Sequence, residues 1–190
     1  MRIAGILLAA GRGTRFDAGG RQDKLMQTLP GGELVAVASA HRLLQAVPLV
    51  QAVVRPGADR LAAVLAESGC RVAVCAEADS GMAASLVCGL RQTGEADAWL
   101  IALADMPYLQ PNTLEALVDA LRGGAGIVQP YCDGKGGNPV GFARRHLAQL
   151  LTLGGDQGAR VLLRQHEVTK IEVDDDGIFR DIDTMEDLHK

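Results

Sequence analysis

Two kinds of segment alternate along the chain: short runs that are apolar throughout, and longer stretches whose apolar positions recur with a helical period. Residues 3–9 (IAGILLA) form an unbroken apolar run that flows into Gly11-Arg12-Gly13, the pattern of a strand buried on both faces of a parallel sheet. Runs of the same kind predict strands at 49–54, 71–75, 98–103, 126–130, 140–142 and 168–173. Between them the spacing predicts helices over 34–46, 59–67, 112–122, 144–151 and 158–165. Another helix is expected to run from an N-cap at Ser80 to about Arg91. Pro111 suits the first turn of the 112–122 helix, and Thr184 with Asp187 resembles a capping box opening a last helix. Strands alternating with helices of this length imply a three-layer α/β/α sandwich on a mainly parallel sheet, with residues 1–190 forming one domain.

Residues 10–32 break the rhythm. They are rich in glycine and charge, carry Pro30, and show no helical or strand period. Loops of that length are uncommon unless they function. In an open α/β sheet, ligands sit outside the carboxyl ends of the strands. The segments expected there are 9–24, 55–57, 76–82, 104–108 and 181–184.

Composition narrows the choice. The formal charge is −4 and only 3% of residues are aromatic, which argues against a nucleic-acid surface and against attraction to an anionic membrane. Phosphate binding must therefore come from a local site. Cys70, Cys75, Cys88 and Cys132 form no CxxC pair and have no histidine at metal-ligand spacing. They read as reduced, packed thiols, with a cytoplasmic setting as the default. The apolar start is too short for a signal-peptide core, and no segment reaches the roughly 18 apolar residues of a membrane helix.

The loop LAAGRGTRF at 8–16 is the first candidate for chemistry. Gly11 and Gly13 allow tight turning, so that successive amides can face one anionic oxygen. Arg12 and Arg15 supply bidentate donors for phosphate, and Lys24 adds a compact third cation. A Walker loop is excluded because no Gly-Lys-Ser/Thr opens a helix. A dinucleotide fingerprint would need glycine where Phe16 stands, which disfavours a nicotinamide-linked oxidoreductase.

Asp105, in LADMPYL at 103–109, follows a buried strand and offers hard oxygens suited to Mg²⁺. In DIDTMEDL, Asp183 is a candidate second ligand, with N-capping of the last helix by Thr184 or Asp183 an equal alternative, while Asp181 has only a turn-orienting role to offer. In SGMAASL, Ser80 and Gly81 open a helix whose free amides favour an anion, although an ordinary capped helix explains them equally well. The glycine loops 136–140 and 154–158 are candidates to border an acceptor, or are simple turns. His41, His146, His166 and His189 have no acid or nucleophile at useful spacing and read as surface or packing residues. With no nucleophile elbow or Cys/His pairing, covalent hydrolysis has no support.

Taken together, LAAGRGTRF…DKL, SGMAASL, LADMPYL, GNPVGF, GDQGAR and DIDTMEDL resemble the MobA-like nucleotidyltransferases over nearly the whole chain. Within them the chain is most similar to the MocA branch, the molybdenum cofactor cytidylyltransferases. The resemblance implies a Rossmann-like, mainly parallel (mixed) sheet of the nucleotide-diphospho-sugar transferase type. It also implies Mg²⁺-dependent transfer of CMP from CTP to the terminal phosphate of molybdopterin, with release of pyrophosphate. A recipient apo-molybdoenzyme would be a further partner.

By the same resemblance, Leu8, Ala9, Ala10, Gly11, Arg12, Gly13, Lys24, Ser80 and Gly81 bind the nucleotide. Arg15, Lys24 and Asp105 act in transfer, and Asp105 and Asp183 hold the metal. Ala10, where guanylyl-transferring relatives usually carry glycine, points to cytidine. The chain departs from the family in the extra residues DAGGRQ at 17–22, in Ala104 before the metal aspartate, and in the GELVAVASA opening of the next helix. A guanylyltransferase, another nucleotidyltransferase with a small phosphorylated acceptor, and a non-catalytic cofactor carrier or chaperone share the same loops.

Overall fold

A computed structural model describes residues 1–17, 19, 22–155 and 158–189. Its elements in chain order are β1 (Ile3–Ala9), α1 (Val35–Ala46), β2 (Leu49–Val54), α2 (Asp59–Glu67), β3 (Arg71–Val74), α3 (Met82–Gln92) and β4 (Ala98–Leu103). These are followed by α4 (Pro111–Arg122), β5 (Ile127–Cys132), β6 (Lys135–Gly136), β7 (Val140–Ala143), α5 (Leu147–Leu150), α6 (Arg160–Gln165) and β8 (Thr169–Glu172).

The strands form one sheet of order β3-β2-β1-β4-β7-β5-β6, with β8 also paired to β5. The β3-β2-β1-β4 half is parallel. β7 runs antiparallel to both β4 and β5, while β8 is parallel to β5. The sheet is therefore mixed, as the family resemblance implies.

Strand alternation divides the apolar residues between two cores. Ile3 and Leu7 face α1, α2 and α4, packing with Leu43, Leu65 and Leu117. Ala4 and Ile6 face the opposite layer, with Leu86 and Leu90 of α3, Leu150 of α5 and Leu162 of α6. This is the expected three-layer sandwich. Strands wholly apolar in sequence are apolar because both of their faces are covered. Close packing depends on missing side chains: a Cβ at Gly5 would come within 2.7 Å of Leu43.

Several elements differ from the sequence reading. The helix expected to be capped by Ser80 is capped one residue later, because Ser80 closes a 3-10 turn and the helix N-cap is Gly81 at φ 111°, ψ 174°. That conformation is essentially open only to glycine. The segment 144–151 opens as a 3-10 turn, and α5 itself has 4 residues. The last helix is a 3-10 turn over Met185–His189. Its capping is nevertheless present, since Asp187 Oδ2 accepts from the backbone N–H of Thr184 at 2.8 Å and from its hydroxyl at 2.7 Å. The long loop is not wholly irregular: Asp23 caps a 3-10 turn over Lys24–Met26 by accepting from Leu25 N–H at 3.0 Å. Of DAGGRQ, Ala18, Gly20 and Arg21 lie outside the described residues, as do Asp156 and Gln157 of GDQGAR.

Candidate active site

Parallel strands deliver their C-terminal loops to one edge, and a cleft of about 390 Å³ opens there. Leu8, Ala10, Gly11, Arg12, Gly13, Arg15, Lys24, Gly81, Asp105 and Asp183 all line it. Of the residues expected to act, only Ala9 and Ser80 fall outside the lining. Ala9 is buried in β1, and Ser80 is exposed beside the helix start that Gly81 occupies. The turn at Gly13 (φ 62°) closes with its carbonyl accepting from Phe16 and Asp17 at 2.9 and 3.2 Å.

A second consequence of topology is a carboxylate cluster. Asp105 follows β4, and its carbonyl accepts from Ile182 N–H at 2.8 Å. That bond lays Asp181 and Asp183 beside Asp105. Oxygens of the three carboxylates lie within 4.8 Å of one another. Asp181, expected only to orient a turn, therefore belongs to the cluster. Its pKa is raised, first by burial and then by the charges of Asp183 and Asp105.

Lys24 Nζ donates to Asp105 Oδ2 at 2.6 Å and to Asp183 Oδ1 at 3.2 Å. Burial alone would lower the lysine's pKa, but the two carboxylates outweigh it and raise the value. Asp105 Oδ1 is buried with no hydrogen-bond partner among the described residues. An orphaned carboxylate oxygen is costly unless a cation meets it. An octahedral Mg²⁺ sets its oxygens about 2.9 Å apart when adjacent and about 4.2 Å when opposite. The donor set is hard oxygen, its spacing needs only slight contraction, and one of its residues carries the orphaned oxygen. The residues fit a small divalent cation.

The loop arginines are also paired. Arg12 holds Asp79 bidentately at 2.9 and 2.6 Å, and Arg15 holds Asp183. The hydrogen bond from Arg12 draws the Asp79 pKa down. Both Arg12 and Asp79 keep two-thirds of their side chains in solvent, where such a pair adds little to stability. A triphosphate, carrying more charge than one carboxylate, can displace it. Arg55, outside the sequence candidates, donates to the Gly11 carbonyl at 2.8 Å and to Asp23 at 3.4 Å. It fixes the loop to the 3-10 turn that carries Lys24. Neither Asp79 nor Arg55 stands in a motif; both fall in the strand-end segments 55–57 and 76–82 expected at this edge, but nothing in the spacing pairs them with the loop.

A second cleft, of about 440 Å³, shares Leu103 with the first and includes Asp181. Gln129, Asn138, Arg160, Arg164 and the half-exposed Phe179 line it. Both glycine loops reach this side of the sheet edge: Gly136 and Gly137 line the second cleft, and Gly158 lines a smaller pocket that shares Arg160 with it. The histidines are apart from both clefts. The expectation that none has an acid partner fails for His41, whose Nδ1 lies 2.6 Å from Glu33 Oε1. The two side chains are separated in sequence by 8 positions but meet across the start of α1. All four cysteines are free, and burial pushes the Cys70 thiol up to about 11.

The family model described as a MobA-like NTP transferase domain matches residues 5–170. A curated relative named nicotine blue oxidoreductase, from Paenarthrobacter nicotinovorans, is 30% identical, covering 99% of this chain and 95% of its own length. The purine catabolism protein PucB of Bacillus subtilis is 29% identical, covering 97% of this chain and 93% of its own. Among solved structures, Rv0371c of Mycobacterium tuberculosis superimposes with a TM-score of 0.85 at 27% identity, covering 98% of this chain and 95% of that one. A manganese complex of Rv0371c superimposes with a TM-score of 0.79 at 25% identity, covering 98% and 96% of the two chains.

Proposed function

Because this chain belongs to the MobA-like NTP transferase domain family, we propose that its residues 1–190 act as a single nucleotidyltransferase domain transferring CMP from CTP to the terminal phosphate of molybdopterin. The observation that carries the reading is the juxtaposition of a cationic glycine loop with the Asp105, Asp181 and Asp183 cluster in one cleft. Support for cytidine is the alanine at position 10, which lines the cleft where a glycine would leave more room.

In this reading Arg12, Arg15 and Lys24 neutralise the β- and γ-phosphates, and the backbone amides of the Gly11–Arg15 turn face them. A divalent ion, Mg²⁺ in the cell, would be held by Asp105 and Asp183 with Asp181 as third ligand, and would supply charge neutralisation at the α-phosphate. The manganese complex of Rv0371c supports a divalent ion in this fold. The acceptor approaches from the second cleft, on the Asp181 side. Its phosphate has a second pKa of about 6, so it is mostly ionised at neutral pH and needs no general base. That agrees with the absence of a histidine from either cleft lining. The phosphate oxygen attacks the α-phosphorus, and the bond to the bridging oxygen of pyrophosphate breaks in line.

A cytoplasmic setting, with delivery of the product to an apo-molybdoenzyme, belongs to the same proposal. Among the described residues no helix is long and apolar enough to cross a membrane.

The test is pyrophosphate release with CTP, GTP and ATP in turn, with Mg²⁺ or Mn²⁺, with and without molybdopterin. Release with CTP that requires molybdopterin is expected, and Asp105→Ala should abolish it while leaving the circular dichroism spectrum unchanged. Release with GTP instead would move the reading to guanylyl transfer, and no release with any nucleotide would favour a carrier. The name of the nicotine blue oxidoreductase relative raises a second reading, an oxidoreductase activity. NADH or NADPH oxidation by the purified protein, with no nucleotide transfer, would establish that reading in place of ours.

A further inference from the structure

Among the described residues, every cation lining the first cleft already has a carboxylate. Arg12 is held by Asp79, Arg15 by Asp183, and Lys24 by Asp105 and Asp183. The second cleft differs. Arg160 and Arg164 are the only cations among the described residues that line it, and neither makes a hydrogen bond or an ion pair with any of those residues. Arg160 opens α6 and Arg164 follows one turn later, so their side chains share a face of the helix. Like charges at that spacing repel one another. A pairing that costs the helix something and returns nothing locally marks a position where function decides the residue.

Placement adds a second reason. Arg160 also lines the smaller pocket, which reaches the first cleft through Leu8, Met82 and Leu103. It therefore stands where the two clefts meet, and Asp181 brings a carboxylate to the same region. A phosphate monoester entering the second cleft carries close to two negative charges at neutral pH. It must approach both Asp181 and a bound triphosphate, which have the same sign. The cations of the first cleft are committed to that triphosphate, so the entering phosphate needs cations of its own. Further along, the lining is apolar at Met106 and Ile178, with the half-exposed Phe179 beside them. Gln129 donates its amide N–H to the Gly137 carbonyl at 3.1 Å, which leaves its side-chain oxygen to accept from a ligand. Such a lining suits a flat ring that carries N–H groups.

We infer that Arg160 and Arg164 clamp the phosphate of the acceptor, so that the second cleft selects a phosphate monoester over the same ring without its phosphate. This rests on the nucleotidyltransferase reading, and its failure can be told from the failure of that reading. A guanidinium fork matches two phosphate oxygens, and two forks one turn apart approach one phosphate from the same side. Arg160, at the junction, holds the attacking phosphate beside the α-phosphate. Arg164 offsets the charge that remains.

The experiment is fluorescence titration of the full-length protein with molybdopterin and with a pterin lacking the phosphate, beside calorimetric titration with CTP and Mg²⁺. Wild type is compared with Arg160→Ala, Arg164→Ala, Arg160→Lys and Arg164→Lys. A hydrogen bond to a charged group corresponds to roughly a ten- to hundredfold change in affinity. Each alanine variant should bind molybdopterin weaker by about that factor, bind CTP as the wild type does, and lose preference for molybdopterin over the phosphate-free pterin. The lysine variants should recover part of the loss, because the charge remains and the fork does not. Unchanged molybdopterin affinity in both alanine variants overturns the inference and leaves the nucleotidyltransferase reading standing. Equal losses for the two pterins overturn it too, because the arginines would then support the cleft and not the phosphate. A parallel loss of CTP affinity also overturns it, by placing the arginines on the nucleotide. A wild-type protein that binds CTP but not molybdopterin overturns the inference together with the acceptor in the reading, and one that binds neither overturns both entirely.

Discussion

Lys24 is the residue on which charge at the site turns. Its side chain is 12% exposed and its ammonium sits between two carboxylates, so it is held in place before any ligand arrives. Removing it leaves Asp105 and Asp183 close together with no cation between them. Lys24→Ala should lower the rate of nucleotide use by about 10²–10³, with the carboxylate cluster still able to bind Mn²⁺. Steady-state pyrophosphate release, combined with Mn²⁺ titration, checks both halves. Unchanged CTP kinetics would remove Lys24 from the site. Arg12 behaves differently, because its pairing with Asp79 is solvent-exposed and adds little to stability. Lys24, Asp105 and Asp183 were legible as separate motif residues. That Lys24 bridges Asp105 to Asp183 was not, since the three positions span 159 residues of sequence.

At the scale of elements, the connection between β7 and α6 carries a pH-dependent contribution to stability. His146 is 7% exposed and packs edge-on to Phe142 and to His166, with ring centroids 6.3 and 4.7 Å away. Burial pulls its pKa below the ordinary 6.5, and the charges of His166 and Arg145 act in the same direction. A depressed folded-state pKa favours the neutral ring in the folded protein. Its contribution is therefore complete above pH 6.5 and is lost as pH falls through the folded value. Melting curves from pH 7.5 to 5 should show a steeper decline for the wild type than for His146→Gln. Parallel curves would remove His146 from the pH dependence. Element boundaries show what patterning could and could not reach. The uniformly apolar strands and the helices α1, α2 and α4 were readable because their periods are set by burial. The start of α3 was not, because Ser80 is a sound cap by residue type while the backbone turns at Gly81 instead.

At the scale of the molecule, the cleft lies between loops that converge from distant parts of the sheet edge, and a ligand that bridges them should stabilise the whole fold. A ligand at a hundred times its dissociation constant adds about 2.7 kcal/mol. For a chain of this size each kcal/mol is worth about 2–4 °C, so CTP with Mn²⁺ should raise the melting temperature by about 5–11 °C. Asp105→Ala should abolish most of that shift. An equal shift in the variant would place the bound nucleotide elsewhere.

The alternation of apolar and polar positions determined the layers of this protein by itself, because a strand covered on both faces must be apolar at every position and an amphipathic helix only along one stripe. The same patterning located the strand ends, and hence the phosphate loop and Asp105, since an open α/β sheet binds ligands at that edge. Only the tertiary structure decided which charges meet. Asp181 joins the carboxylate cluster because the Asp105 carbonyl accepts from Ile182 N–H. Asp79 meets Arg12 across 67 positions. Those facts depend on through-space contact between segments whose sequences carry no trace of each other. Local periodicity cannot encode them.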